Sequence, residues 1–351
     1  MDRTLARQAG LLIVVFLATL VLLVGGWAVV RESGRSPSTR PPGASGSGSI
    51  GSPVVSGSSG AGPSASAGAG ASGGGSPGSG DSGGAGTTVV LTGAGDIADC
   101  GLSGAKDTSD LLIGQAGTIF TAGNNAYQNG SANEFAACYD PTWGRVKDRT
   151  LPAPGNRDYQ TSGATGYKAY FGAASMPDGT TWYSTDLGEW HVIVLDSNCA
   201  QVGGCDPGSP QGRWLAADLR ASVQTRCTVA IWHHPRFSSG EHGDDPAVGS
   251  FWEQLMAGHA DLVIDGHDDD YERFAPQDAS GHEDRKTGLR EFVVGTGGAA
   301  LHMFTHEAAN SEFRLAGVWG VMRLTLQPAN YDWEFLPTSG EITDSGSAPC
   351  H

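Results

Sequence analysis

The chain has 351 residues and a formal net charge of −16. An acidic chain without a visible basic patch repels a phosphate backbone, which excludes nucleic acid as a partner; solubility is the simplest use of the charge. Its six cysteines contain no CxxC pair, so a zinc finger is excluded as well.

Residues 1–9 are a short flank. Residues 10–30, GLLIVVFLATLVLLVGGWAVV, carry no charge. At about 1.5 Å per residue they span roughly 31 Å, the thickness of a bilayer core. The expectation is an uncleaved signal-anchor helix. The alternative, a cleaved signal peptide, calls for a shorter apolar region and a small-residue cleavage site. Arg3 and Arg7 precede the segment and Arg31, Arg35 and Arg40 follow it, so charge does not orient it. The cysteines do. Cys100, Cys138, Cys199, Cys205, Cys227 and Cys350 all lie far beyond it, and an even count suits disulfides in an oxidising compartment. Cys199 and Cys205 can close a short loop and Cys350 can tie down the C-terminus; the pairing is not legible. The expectation is a single-pass protein of the cell membrane with its large domain extracytoplasmic.

Residues 31–87 are mostly Gly, Ser, Ala and Pro. Such a stretch cannot bury enough apolar surface to offset its ordering entropy and reads as a disordered linker. A Gly-rich chain of about 50 residues has an r.m.s. reach of roughly 40 Å.

Residues 88–351 are long enough for one domain. Apolar runs ending in Gly or polar residues recur as TTVVLTGAGDI, GTIFTAGN, WHVIVLDSN, CTVAIWHH, ADLVIDGH and REFVVGTGG, and read as strands. SGAKDTSDLLIGQ, QGRWLAADLRAS and DPAVGSFWEQLMAG have apolar residues at helical spacing between some of them. Alternating strands and helices indicate an α/β fold. FRLAGVWGVMRLTLQPANYDWEFLPT reads as consecutive strands. The GTGGAA stretch at 295–300 lacks the Lys-Ser/Thr pair of a phosphate loop and reads as a tight turn near the rim of a site.

Polar residues collect where the apolar runs end: Asp96, Asn124 and Asn125, Asn156, Asp196 and Asn198, His233 and His234, then Asp265, His267 and Asp269. Ligands of α/β sheets gather outside the carboxyl ends of strands, and several strands giving oxygen and imidazole to one edge make a metal site. The blocks GDI at 95–97, GNNAY at 123–127, GNRDY at 155–159, AIWHHP at 230–235 and GHDDDYER at 266–273 resemble, as an ordered set, those of calcineurin-like metallophosphoesterases, and most of all the purple acid phosphatases. The resemblance covers about residues 88–335. It implies a four-layer αββα sandwich with one or two metal ions, Fe, Zn or Mn. Residue by residue it implies that Asp96, Asn124, Tyr127, Asn156, His233, His267 and Asp269 are ligands. Tyr127 would bind as phenolate, and Arg157, His234 and His242 would serve the reaction.

Three positions depart from the family pattern. Asn124 stands where a bridging aspartate belongs, Arg157 where a histidine assists, and Asp269 where the last block has its second histidine. An amide is neutral, with one good acceptor oxygen. Arg157 stays protonated and cannot act as acid or base, but it can clamp phosphate bidentately. Asp269 remains a competent hard ligand. The expected function is hydrolysis of phosphate esters through a metal-activated water. The alternative is an inactive metallophosphoesterase-like pseudoenzyme acting as a surface binding module.

Overall fold

The computed structural model describes residues 86–222, 227–341 and 344–351, all within one compact unit, Gly78–His351. The apolar segment 10–30 and the linker up to residue 85 lie outside the described residues. Among the described residues no helix is long and apolar enough to cross a membrane.

Among the described residues thirteen strands form two sheets. In chain order they are β1 (Val89–Ala94), β2 (Thr118–Ala122), β3 (Thr150–Ala153), β4 (Tyr183–Leu187), β5 (Trp190–Val194), β6 (Cys227–Ile231), β7 (Leu262–Asp265), β8 (Tyr271–Phe274), β9 (Arg290–Val294), β10 (Ser311–Leu315), β11 (Gly320–Leu326), β12 (Asn330–Pro337) and β13 (Ser345–Pro349). The main helices are α1 (Gly104–Ile113), α2 (Thr165–Phe171), α3 (Pro210–Ala221) and α4 (Gly249–Ala257). The first sheet runs β13-β12-β11-β1-β2-β3 and the second β10-β8-β9-β7-β6-β5-β4. β1, β2 and β3 are mutually parallel, as are β5, β6, β7 and β9. The fold is therefore mixed α/β with two sheets, and every expected strand and helix of the folded part is present.

The side-chain period of two explains the layering. Trp190, Val192 and Val194 of β5, Val229 and Ile231 of β6, Leu262 and Ile264 of β7, and Phe292 and Val294 of β9 share one core with Leu91, Ile119 and Leu324 of the first sheet. The intervening Ile193, Ala230, Val263 and Val293 turn the other way and share a second core with Leu215 and Leu219 of α3 and Phe251, Trp252 and Leu255 of α4. Strands buried on both faces read as unbroken apolar runs, as the sequence shows. α3 starts as its sequence predicts, with Pro210 in the first turn and the Ser209 hydroxyl accepting the Gly212 N–H.

All six cysteines pair: Cys100 with Cys138, Cys199 with Cys205, and Cys227 with Cys350. The last bond ties β6 to the C-terminus across 123 residues of sequence.

Candidate metal centre

Asp96, Asn124, His233 and His267 each stand two residues beyond the end of a strand, β1, β2, β6 and β7, and Asn156 three beyond β3. Parallel strands deliver their carboxyl ends to one edge, so the two sheets bring these loops together. Asp96, Asn124 and His267 adopt left-handed backbone, with φ of 58°, 52° and 73°. Such conformations are unfavourable for residues with a Cβ and cluster at sites where the surroundings enforce them. The glycines of the blocks make room. A Cβ at Gly155 would sit 2.3 Å from Asn124 Oδ1, and one at Gly266 would sit 2.7 Å from Asp96 Oδ2.

Asp96 is fully buried. Its Oδ1 accepts the Tyr127 hydroxyl at 2.6 Å and the Asn124 amide at 2.9 Å, and its Oδ2 accepts the His267 backbone N–H at 2.6 Å. Burial pushes its pKa up to about 6, against the pull of those donors. The orientation of Asn124 follows from its other end: Oδ1 accepts the Arg157 backbone N–H at 2.7 Å, and a flipped amide would set two donors against each other. Asn124 therefore presents N–H, not a lone pair, to Asp96 and to the Tyr127 hydroxyl, 3.2 Å away. Burial and the Asp96 charge hold Tyr127 protonated, its pKa raised well above the usual phenol value. In this arrangement Asn124 is a donor rather than the ligand expected of it, and the Tyr127 hydroxyl donates to Asp96. With its N–H turned inward, Asn124 offers no lone pair at the bridging place between two ions.

The neighbouring position differs. His233 Nδ1 donates to the Ala122 carbonyl at 2.8 Å, which fixes the tautomer and leaves the Nε2 lone pair facing inward. That nitrogen lies 2.8 Å from Asn156 Oδ1 and 3.2 Å from His267 Nδ1. Ligands about 2.1 Å from one cation stand roughly 3.0–3.4 Å apart, so this set fits an ion. Burial keeps both rings neutral, lowering His233 well below the ordinary imidazole value and His267 to about 3.

His234 has another role. Ser197 Oγ accepts the backbone N–H of His233 and of His234, so its own hydrogen goes to His234 Nδ1 at 2.8 Å. The His234 proton is then on Nε2. Burial lowers its pKa to about 4, so at neutral pH it is a hydrogen-bond donor and not a general acid.

The turn after β7 carries three acids with three environments. Asp268 is buried and accepts from the Ser238 hydroxyl, from His242 N at 2.7 Å, from His242 Nδ1 at 2.9 Å and from Gly243 N at 3.1 Å. Burial opposes its ionisation, but these donors prevail and its pKa is lowered. Asp269 and Asp270 lack such partners. Asp269 Oδ1 and both oxygens of Asp270 are buried without a hydrogen bond, and burial, then neighbouring carboxylates, pushes both acids up to about 9. Arg157 lies with its guanidinium 5.7 Å from the Tyr127 ring and bears electrostatically on both Asp269 and His267.

Other polar positions at the strand ends are structural. Asp196 accepts from Tyr159, Thr181 and Asn198. Asp265 lies beside buried Glu291; burial, then the Glu291 charge, raises Asp265 well above the usual value, and burial raises Glu291 to about 8. His302 escaped the sequence reading. It follows the Gly-rich turn after β9, and its Nδ1 lies 3.5 Å from Asp269 Oδ2. No spacing to another ligand marks it, although its place just past a turn at the site rim is a signal.

No protein-family model matches the chain, and no curated protein sequence does. Solved structures match in fold. A purple acid phosphatase isolated from yellow lupin (Lupinus luteus) seeds superposes with a TM-score of 0.61 at 17% identity, over 75% of this chain and 54% of its own. This chain thus spans about half the length of that enzyme. The anchor in the inner membrane complex of Plasmodium gives 0.56 at 16% identity, over 75% of this chain and 89% of its own. A dimetal phosphatase from Danio rerio gives 0.50 at 11% identity, over 75% and 99%. These likenesses are likenesses of fold: the chain has the calcineurin-like metallophosphoesterase fold.

Proposed function

We propose that this chain is a metal-dependent phosphoester hydrolase, a four-layer αββα domain (88–351) held outside the cell membrane by the 10–30 helix and the 31–87 linker. The observation that carries the reading is the convergence of His233 Nε2, His267 Nδ1 and Asn156 Oδ1, spaced 2.8 and 3.2 Å from the first of these atoms. Those three residues would hold one divalent ion of the Zn, Mn or Fe kind. When bound there, such an ion supplies Lewis-acid polarisation of a phosphoryl oxygen and of water.

The chain's own residues do the rest. Arg157 offers a permanent cation and a fork of donors for phosphoryl oxygens. His234 offers a neutral Nε2–H fixed by Ser197. Asp96, held by Tyr127 and Asn124, fixes the His267 backbone and so the direction of its ring. His242 has its Nδ1 committed to Asp268, and Nε2 alone is left for the pocket.

A second reading is supported by the same donors. With Asn124 and Tyr127 satisfying Asp96, the fold can stand as a binding module without turnover, and one structural neighbour is described as an anchor. One experiment separates the two. The purified full chain is analysed for bound metal and assayed on a chromogenic phosphate ester with Zn, Mn or Fe added. Turnover that is lost in His233→Ala supports the hydrolase. Metal binding without turnover supports the binding module, and absence of both ends the first reading.

A further inference from the structure

We propose that His242, Asp269 and His302 form a second cation site, nearer to solvent than the position the fold family uses, that takes a borderline divalent cation such as zinc. The proposal goes beyond the phosphoesterase reading and does not depend on it. Each of the three residues offers one ligand atom, and these atoms lie within 4.8 Å of one another. Two imidazoles and a carboxylate are a donor set that suits zinc and leave a position open for water or a ligand.

The atoms are arranged as ligands rather than as an ordinary ion pair. His242 gives its Nδ1–H to Asp268, whose other contacts are the Ser238 hydroxyl and the backbone N–H of His242 and Gly243. A carboxylate behind an imidazole fixes its tautomer and aims the other nitrogen; such support is typical of metal-bound histidines. Asp269 is nearly buried, and its Oδ1 has no hydrogen-bond partner, as His302 Nδ1 has none that is well aligned. His302 Nδ1 stands 3.5 Å from Asp269 Oδ2 and 3.3 Å from Glu241 Oε2. These separations match the roughly 3.4 Å edges of a tetrahedron of ligands about 2.1 Å from one ion.

The backbone holds the loops in register. The His302 N–H donates to the Asp269 carbonyl at 3.0 Å, the Thr305 N–H to the Ser239 carbonyl at 3.0 Å, and the Thr305 hydroxyl to the Gly240 carbonyl at 2.8 Å. The loop bearing His302 is therefore tied to the turn bearing Asp269 and to the segment bearing His242. The departures at Asn124 and Asp269 then form one change. The amide closes the inner position, and the exchange of histidine for aspartate supplies a carboxylate to an outer one.

Zinc and cobalt(II) binding to the full chain test this. After chelation and reloading, the wild type should hold about one equivalent of zinc more than His302→Ala. His302 is partly exposed, so its truncation should leave folding unchanged; His302→Gln, which keeps the volume, is the second variant. Cobalt(II) should give the visible absorption of a four-coordinate site, lost in His302→Ala and kept in His233→Ala. Zinc content and cobalt absorption unchanged in both His302 variants would overturn the proposal and leave His302 as an ion-pair partner of Glu241. A wild type whose zinc is lost entirely in His233→Ala would overturn it too, while leaving the phosphoesterase reading intact. Zinc retained in His233→Ala but lost in His302→Ala supports this site while removing the support for that reading.

Discussion

Asn124→Asp tests the reading of the inner position most directly. The substitution replaces an N–H 2.9 Å from Asp96 Oδ1 by a carboxylate oxygen, in a place where both residues are buried. The hydrogen bond to Asp96 is lost, at about 1–2 kcal/mol, with the longer one to the Tyr127 hydroxyl. Two unit charges about 4 Å apart at an effective dielectric constant near 20 repel by roughly 4 kcal/mol, and protonation of one member relieves part of that. A net destabilisation of about 2–4 kcal/mol follows for the metal-free protein, which for a domain of this size lowers Tm by about 5–15 °C. A cation reverses the sign, because the same two carboxylates then share it. At an ion concentration 100-fold above Kd, binding restores about 2.7 kcal/mol. The assay is thermal unfolding followed by circular dichroism, in chelator and in excess Mn or Zn. Equal melting of wild type and variant in chelator would refute the reasoning, since it would mean that Asn124 does not serve as the donor to Asp96.

Three further outcomes follow. Burial holds Glu291 at about 8, above its ordinary value of 4.5; an acid raised on folding binds its proton more tightly in the native state, so stability falls as pH rises from about 4.5 towards 8. The loss is at most on the order of 5 kcal/mol, and Glu291→Gln, which keeps the acceptor for the Arg236 and Phe237 N–H groups, should flatten denaturant-derived stability against pH over that window; an unaltered slope would refute the raised Glu291 pKa. Replacing Cys227 and Cys350 together by Ser removes the closure of a 123-residue separation, with an expected cost of about 5 kcal/mol in the chain-entropy picture, read as a lower urea midpoint; a midpoint within error of wild type would contradict it. Arg157→Leu should weaken inhibition by inorganic phosphate about 10–100-fold, the range of a charge-assisted hydrogen bond, whereas an unchanged inhibition constant would place the guanidinium outside the phosphate site.

Some features were set by local sequence. The apolar runs of β1, β2, β5, β6, β7 and β9 are legible because strands buried on both faces are mostly apolar, and the loops after them are legible because a turn favours Gly, Asn or Asp. α3 starts at a Ser209 cap followed by Pro210, whereas α1 and α4 have no side-chain cap and are legible from apolar spacing alone. Weakly marked elements were not legible. β13, SGSAP, has no apolar run, and it is a strand because β12 offers it an edge and Cys350 anchors its end. YERF, which has no apolar run, is β8 because β9 and β10 pair with it on either side.

For the site, sequence placed Asp96, Asn124, Asn156, His233 and His267 at strand ends, and tertiary structure alone decided what each atom does. Which end of the Asn124 amide meets Asp96 depends on the Arg157 N–H, 33 residues away in sequence. The tautomer of His234 depends on Ser197, and that of His242 on Asp268. His302 becomes a neighbour of Asp269 only because its loop is bonded to the turn after β7. Residue type limits what a side chain can donate or accept; the partner that claims each lone pair or proton comes from a distant part of the chain, and no local pattern encodes it.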